Sequence, residues 1–199
     1  MFPIFLKLDG RRCLVVGAGK VAEGKILGLL DAGGCVDVVA PDAVPQIRTW
    51  ASDGAVDWQP RGFLPSDLDH ASLVIAATSS SEVNSEVFRQ ARLRNVLCNS
   101  VDDPANCDFY YPAVVNRGDL QIAISTNGRS PALAQRLRQE LEVQFGPEYE
   151  AWVAELGAAR EQLFAASGDT EIRRKLLHEL ASPRAFVSRH SKAERERSH

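Results

Sequence analysis

The chain has 199 residues, 45% hydrophobic and 25% charged, with a formal net charge of −3. That is enough apolar material for one full domain and a smaller second one. The mildly acidic balance gives no basis for a nucleic-acid partner, and no apolar run approaches the roughly 20 residues of a membrane-spanning helix, so no membrane partner is expected.

At the N-terminus, MFPIFLKLDGRRC, the apolar residues precede the basic ones. A secretory signal has the reverse order, so a cytoplasmic protein is expected. Residues 12–16 (RCLVV) read as a short buried strand. Helical apolar spacing follows over residues 20–30 through Val21, Ile26, Leu27, Leu29 and Leu30, ending at Gly33-Gly34. Residues 35–40 (CVDVVA) form a second strand stopped by Pro41. A helix over 44–52, a strand over 55–59, a buried strand over 73–77 (LVIAA), a helix over 82–93 and a strand over 96–100 follow. Strands alternating with helices imply an α/β fold with an open, mostly parallel sheet covered on both faces.

The pattern changes after Pro104. Residues 120–126 (LQIAIST) read as a strand. Ser130-Pro131 opens a helix, Ser as a cap and Pro at the first helical position, running to about residue 145. From 148 to 180 the chain reads as helices broken near Ser167-Gly168, with Asp169 or Ser167 capping the second. The tail SRHSKAERERSH is polar. Cys13, Cys35, Cys98 and Cys107 include no CxxC pair, so no zinc ribbon is expected; Cys13 and Cys35 lie in apolar runs that suit buried thiols. His70, His178, His190 and His199 share no ligand spacing, so no resident metal site is expected.

The chemistry-bearing stretch is LVVGAGKVAEGK, residues 14–25. Gly17, Gly19 and Ala22 form a G-x-G-x-x-A pattern between a strand and a helix. The first glycine permits a tight turn, the second lets backbone approach a pyrophosphate, and the small third residue lets the helix pack on the strand. The helix N-terminus then offers N–H donors to the phosphates. This context makes the motif a dinucleotide site. An acidic residue for the adenosine ribose belongs at the end of the second strand. Asp37 falls mid-strand; Asp42, after Ala40-Pro41, is either that ribose contact or a helix N-cap. No basic cluster follows for a 2′-phosphate, so NAD is expected over NADP.

Two further stretches, NSVDDPANCDFYYPA (residues 99–113) and STNGRSPALA (residues 125–134), join VVGAGKVAEGK in chain order. With Pro3-Ile4-Phe5, Ala77-Thr78 and Asn84, they make residues 1–145 resemble the precorrin-2 dehydrogenase/sirohydrochlorin ferrochelatase family, the N-terminal module of siroheme synthases. The resemblance implies a Rossmann-like parallel sheet, a dimerisation segment and a small helical C-terminal domain. The corresponding spans are 1–113, 114–146 and 147–199, the last with a polar tail. It implies NAD-dependent oxidation of precorrin-2 to sirohydrochlorin by a homodimer, with Fe²⁺ a further substrate in some members. The family's cofactor contacts fall on Lys20, Val21, Pro41 and Asp42, and its key acid on Asp102. The sequence departs from the family in Ala18 for a glycine, Gly24 for an arginine, Asn127 for a glycine, and Thr126 where one member carries a phosphorylatable serine.

Asp102 follows the fifth strand's carboxyl end, where open α/β sheets bind ligands, and a carboxylate there can accept a proton. Asp-Asp-Pro also opens turns, the reading kept for Asp103. The implied substrate carries eight carboxylates, for which Arg129, Ser130 at the helix start and Arg117 are candidates; the alternative for both arginines is solvated surface charge. Residues 133–141 describe an amphipathic helix whose apolar face suits core or dimer contact. Two rival readings stay open: a chelatase that does without NAD, and a non-catalytic NAD(H)-sensing module.

Overall fold

The computed structural model describes residues 1–166, 168–187 and 189. Ser167, His190, His199 and most of the tail over 188–199 lie outside the described residues. The chain divides into two compact units, Met1–Tyr111 and Pro112–His199.

The first unit holds five parallel strands: β1 (Arg12–Val16), β2 (Cys35–Val39), β3 (Val56–Gln59), β4 (Leu73–Ala76) and β5 (Leu97–Ser100). Their spatial order is β3-β2-β1-β4-β5. Three helices connect them: α1 (Lys20–Asp31), α2 (Pro45–Ser52) and α3 (Ser81–Leu93). Successive residues of a strand point to opposite faces, and in β1 both faces are covered. Cys13 and Val15 join Ala22, Ile26 and Leu29 of α1 and Ile47 of α2. Leu14 and Val16 join Val87 and Ala91 of α3. This is why RCLVV and LVIA are apolar without alternation, and each fully buried Val, Leu or Ile contributes roughly 1.5–3 kcal/mol. At the edge, β3 (VDWQ) buries Val56 and leaves Asp57 exposed.

One strand residue departs from expectation. Cys35 is exposed, because it is the first residue of β2, outside the span that the helices cover; Cys13 and Cys98 are buried as thiols. Asp37, mid-strand in β2, pairs with Arg12 of the neighbouring strand.

The second unit begins with an antiparallel pair, β6 (Ala113–Arg117) and β7 (Leu120–Ile124). β6 carries little strand signal in the sequence, since Val115 is its one buried residue and the run is short. Gly118, at φ +59°, occupies the first position of the two-residue turn, where a left-handed backbone suits the twist of the strands. Helices α4 (Pro131–Gln144), α5 (Glu148–Ala165) and α6 (Thr170–Leu180) follow. Ser130 caps α4 by accepting from the Leu133 N–H, and Asp169 caps α6 by accepting from the Glu171 N–H. Tyr149 and Trp152 of α5 pack edge-on, with ring centroids 5.6 Å apart, and both meet Phe186.

Candidate functional site

Strand order reverses at β1: β2 lies on one side and β4 on the other. In open α/β sheets, ligands bind at the carboxyl ends beside such a switch point. Gly17 sits there, just past β1, with φ +108°. A Cβ at Gly17 would lie 2.6 Å from the Ala77 carbonyl carbon, nearer still to its oxygen, and 3.0 Å from the Thr78 nitrogen. Only glycine lets the two strand ends meet this closely. The Thr78 side is itself held rigid. Buried Asn84 accepts from the Thr78 N–H and hydroxyl and donates to the Thr78 carbonyl at 3.1 Å.

The loop is tied on its other flank as well. The Gly17 N–H donates to the Val39 carbonyl and the Val44 N–H to the Ala18 carbonyl, so the segment after β2 lies against the glycine turn. Gly19 stands at the N-cap of α1 with no side-chain cap, and a Cβ there would meet nothing within 4 Å. The first helical bond runs from the Glu23 N–H to the Gly19 carbonyl. The N–H groups of Lys20, Val21 and Ala22 therefore have no helical partner. Ala22 is fully buried, as close packing of α1 on the sheet requires. Open space, free donors and the positive end of a helix dipole together form a cradle for a pyrophosphate.

After β2, Ala40 is buried while Pro41 and Asp42 are exposed. The N-cap of α2 is Val44, which makes no side-chain cap, so Asp42 does not cap that helix. Its carboxylate instead accepts from the Ala43 N–H at 2.8 Å and from the Arg48 guanidinium. The sequence shows no basic cluster after this strand, but a single arginine, Arg48, lies in α2. One turn of helix carries it back there.

Beyond β5, Asp102 is exposed, with a left-handed backbone at φ +61°, a conformation that aspartate tolerates better than most residues. Asp103 is a turn residue: its N–H donates to the Ser100 carbonyl, and its carboxylate accepts from Asn106 at 2.7 Å. Asn99 braces the same loop by donating to the Phe109 carbonyl at 2.8 Å. Lys25 of α1 was not singled out from the sequence, yet it reaches this loop. Its Nζ lies 3.5 Å from the centroid of the Tyr111 ring. Burial holds the Lys25 ammonium below its usual value, and the negative charge of Asp102 works against that shift. Side chains of a helix lean toward its N-terminus, here toward the carboxyl edge of the sheet. The ammonium thus joins the glycine-loop helix to the loop after β5 at Tyr111.

Residues 4–113 match the family described as "Putative NAD(P)-binding". The chain belongs to this family. The NAD(P)-binding match is followed, over residues 117–144, by one to the central part of sirohaem biosynthesis proteins. A siroheme synthase of Acinetobacter baylyi is 46% identical over 143 residues, 71% of this chain and 31% of that protein. Siroheme synthase 3 of Aeromonas hydrophila is 39% identical over 170 residues, 84% of this chain and 36% of that one. The chain thus spans about a third of the length of these relatives. Among solved structures, SirC, a precorrin-2 dehydrogenase, superposes with a TM-score of 0.79 at 27% identity, over 96% of this chain and all of that one.

Gly17, Gly19, Lys20, Val21, Ala22, Pro41 and Asp42 gather past the carboxyl ends of β1 and β2, and Asp102 follows the carboxyl end of β5 at the same edge of the sheet. The arginines and Ser130 belong to the second unit. Arg129 is exposed, and its side chain makes no hydrogen bond or ion pair among the described residues. Arg117, by contrast, is held by backbone. It donates to the carbonyls of Glu142 at 3.0 Å and Phe145 at 2.8 Å, at the C-terminal end of α4, and to that of Asn116 in its own strand at 2.8 Å. Three of its five N–H donors are thus spent on backbone carbonyls. The described residues contain no group of three or more His, Cys, Asp or Glu side chains placed to hold a metal ion, and no helix long and apolar enough to cross a membrane.

Proposed function

We propose that this chain oxidises precorrin-2 to sirohydrochlorin, with NAD as the oxidant. The observation that carries the reading is the shared carboxyl edge: an open glycine cradle after β1 and an exposed Asp102 after β5, with Lys25 of α1 reaching Tyr111 in the same loop. The likeness to SirC, a precorrin-2 dehydrogenase, over its whole chain supplies the substrate. The cradle fits the cofactor: the N–H groups of Lys20, Val21 and Ala22 take the pyrophosphate, and Pro41 and Asp42 border the adenosine ribose. When bound, NAD supplies a hydride acceptor.

Asp102 accepts the proton that leaves the macrocycle with the oxidation, as a positioned general base. Lys25 places a positive charge beside that carboxylate, which a polyanionic substrate needs if it is to approach. Arg129 meets a substrate carboxylate, and Ser130 fixes the loop before α4. Arg117 is left out of the substrate set because of its three carbonyl partners.

In this reading residues 1–113 bind the cofactor, 114–146 form the dimer and 147–199 make a helical domain. Exposed Val114, Leu133 and Val143 support a dimer face on the hairpin and α4. The working form is a cytoplasmic homodimer.

The test is incubation of the purified protein with precorrin-2 and NAD⁺, following NADH and sirohydrochlorin absorbance, with and without Fe²⁺. Formation of both products supports the reading, and conversion to the sirohaem spectrum adds Fe²⁺ as a second substrate. Absence of NADH and sirohydrochlorin defeats it. Asp102→Ala is expected to abolish turnover while NAD still binds; normal turnover in that variant removes Asp102 from the chemistry.

A further inference from the structure

The segment after β2 carries a feature that NAD alone does not need. Where a dinucleotide fold reads the adenosine ribose, an acidic residue receives the 2′-hydroxyl of NAD, whereas an arginine accommodates the 2′-phosphate of NADP. This chain places both at the same strand end, paired to each other. Arg48 is held there from three sides. Its Nε donates to the Ala43 carbonyl at 2.8 Å, its guanidinium lies 5.0 Å over the Trp58 ring, and its Nη2 donates to Asp42. Trp58 is fixed in turn by donating Nε1 to the Ala40 carbonyl at 3.0 Å. The whole group is pinned to the glycine turn through the bonds from Gly17 to Val39 and from Val44 to Ala18.

The pair is open to solvent. The side chain of Asp42 is 82% exposed and that of Arg48 51%. An exposed ion pair is worth little, so exchange of partners at Arg48 is cheap. With Nε and Nη2 engaged, Nη1 has no partner among the described residues, and the paired N–H groups of a guanidinium suit a phosphate. Asp42 alone would repel a 2′-phosphate; Arg48 cancels that repulsion. We infer that Arg48 is a second reader of the adenosine ribose, so that this site takes 2′-phosphorylated dinucleotide (NADP) as well as NAD. The inference rests on the dinucleotide reading above and extends it to cofactor choice.

The experiment is isothermal titration of the full chain with NAD⁺ and with NADP⁺, alongside Arg48→Gln, Arg48→Lys and Asp42→Asn, with circular dichroism confirming each fold. The wild type is expected to bind the two dinucleotides within about tenfold of each other, because the two charges offset. Arg48→Gln should weaken NADP⁺ by about tenfold or more, with NAD⁺ changed less than about threefold. Arg48→Lys, which keeps the charge, should recover part of the loss. Asp42→Asn should shift preference the opposite way, toward NADP⁺. Equal effects of Arg48→Gln on both dinucleotides, or no effect, overturn the inference while leaving the NAD site intact. If the wild type binds neither dinucleotide, the dinucleotide reading itself falls, and this inference with it.

Discussion

Gly17 and Gly19 stand two residues apart, and the structure assigns them opposite kinds of importance. Replacing Gly17 with alanine forces a Cβ onto a residue at φ +108° and to within 2.6 Å of the Ala77 carbonyl carbon. The backbone conformation costs about 1–2 kcal/mol. Overlap with backbone that Asn84 holds in place adds about 1–3 kcal/mol. With a urea m-value of about 2 kcal/mol/M, the summed loss lowers the unfolding midpoint by roughly 1–2.5 M. Gly19→Ala is the control. Its φ of −84° suits any residue, and its Cβ meets nothing within 4 Å. Its stability should change by no more than about 1 kcal/mol, the scale of an altered N-cap. That Cβ would, however, stand in the open space over the free N–H groups of α1, so NAD⁺ affinity should fall at least about tenfold, or about 1.4 kcal/mol. Urea titration followed by circular dichroism gives the first quantity and calorimetric titration the second. The reasoning fails if Gly17→Ala unfolds at the wild-type midpoint, or if Gly19→Ala binds NAD⁺ as tightly as the wild type.

Three other outcomes are expected. Asp67 is nearly buried and accepts from Nη1 and Nη2 of Arg61 and from the Leu64 N–H. Burial pushes its carboxyl up, but Arg61 and the Leu64 N–H outweigh that and hold it below the ordinary 3.8. Its contribution is therefore complete above that pH and lost as pH falls through the lower native value. Asp67→Asn should flatten the acid limb of the stability curve below about pH 4, and an unchanged limb in thermal melts refutes the assignment. Asn84→Ala removes the acceptor of the Thr78 N–H, a loss of about 1–3 kcal/mol, and should speed amide exchange at Thr78; unchanged protection would show that the loop is held by other contacts. Lys25→Met keeps the apolar stem and drops the charge beside Asp102, so KM for precorrin-2 should rise by about tenfold with kcat less affected. An unaltered KM removes Lys25 from the substrate site.

Much of this protein is decided locally. RCLVV, CVDVV and LVIA are short, apolar and β-rich, so they are strands in any context that covers both faces, and the alternation with helices then dictates a parallel sheet. Gly17, Gly19 and Ala22 announce their chemistry because a turn, an approach and a packing contact each demand small residues at fixed spacing. Ser130 and Asp169 announce helix starts for the same local reason. What the sequence by itself did not determine depends on residues far apart in the chain. β6 has one buried residue, and its partner β7 supplies the pattern it lacks. Cys35 reads as buried in CVDVV, but only the packed helices decide that coverage stops short of the first residue of β2. Arg117 reads as turn charge until α4 brings the carbonyls of Glu142 and Phe145 to it, 25 and 28 residues on. Lys25 meets Tyr111, and Arg48 returns to Asp42 over Trp58, because helices α1 and α2 are laid against the sheet at fixed rotations. Backbone periodicity is written in neighbouring residues; the company a charged side chain keeps is set by the packing of whole elements, and that exists only in the folded chain.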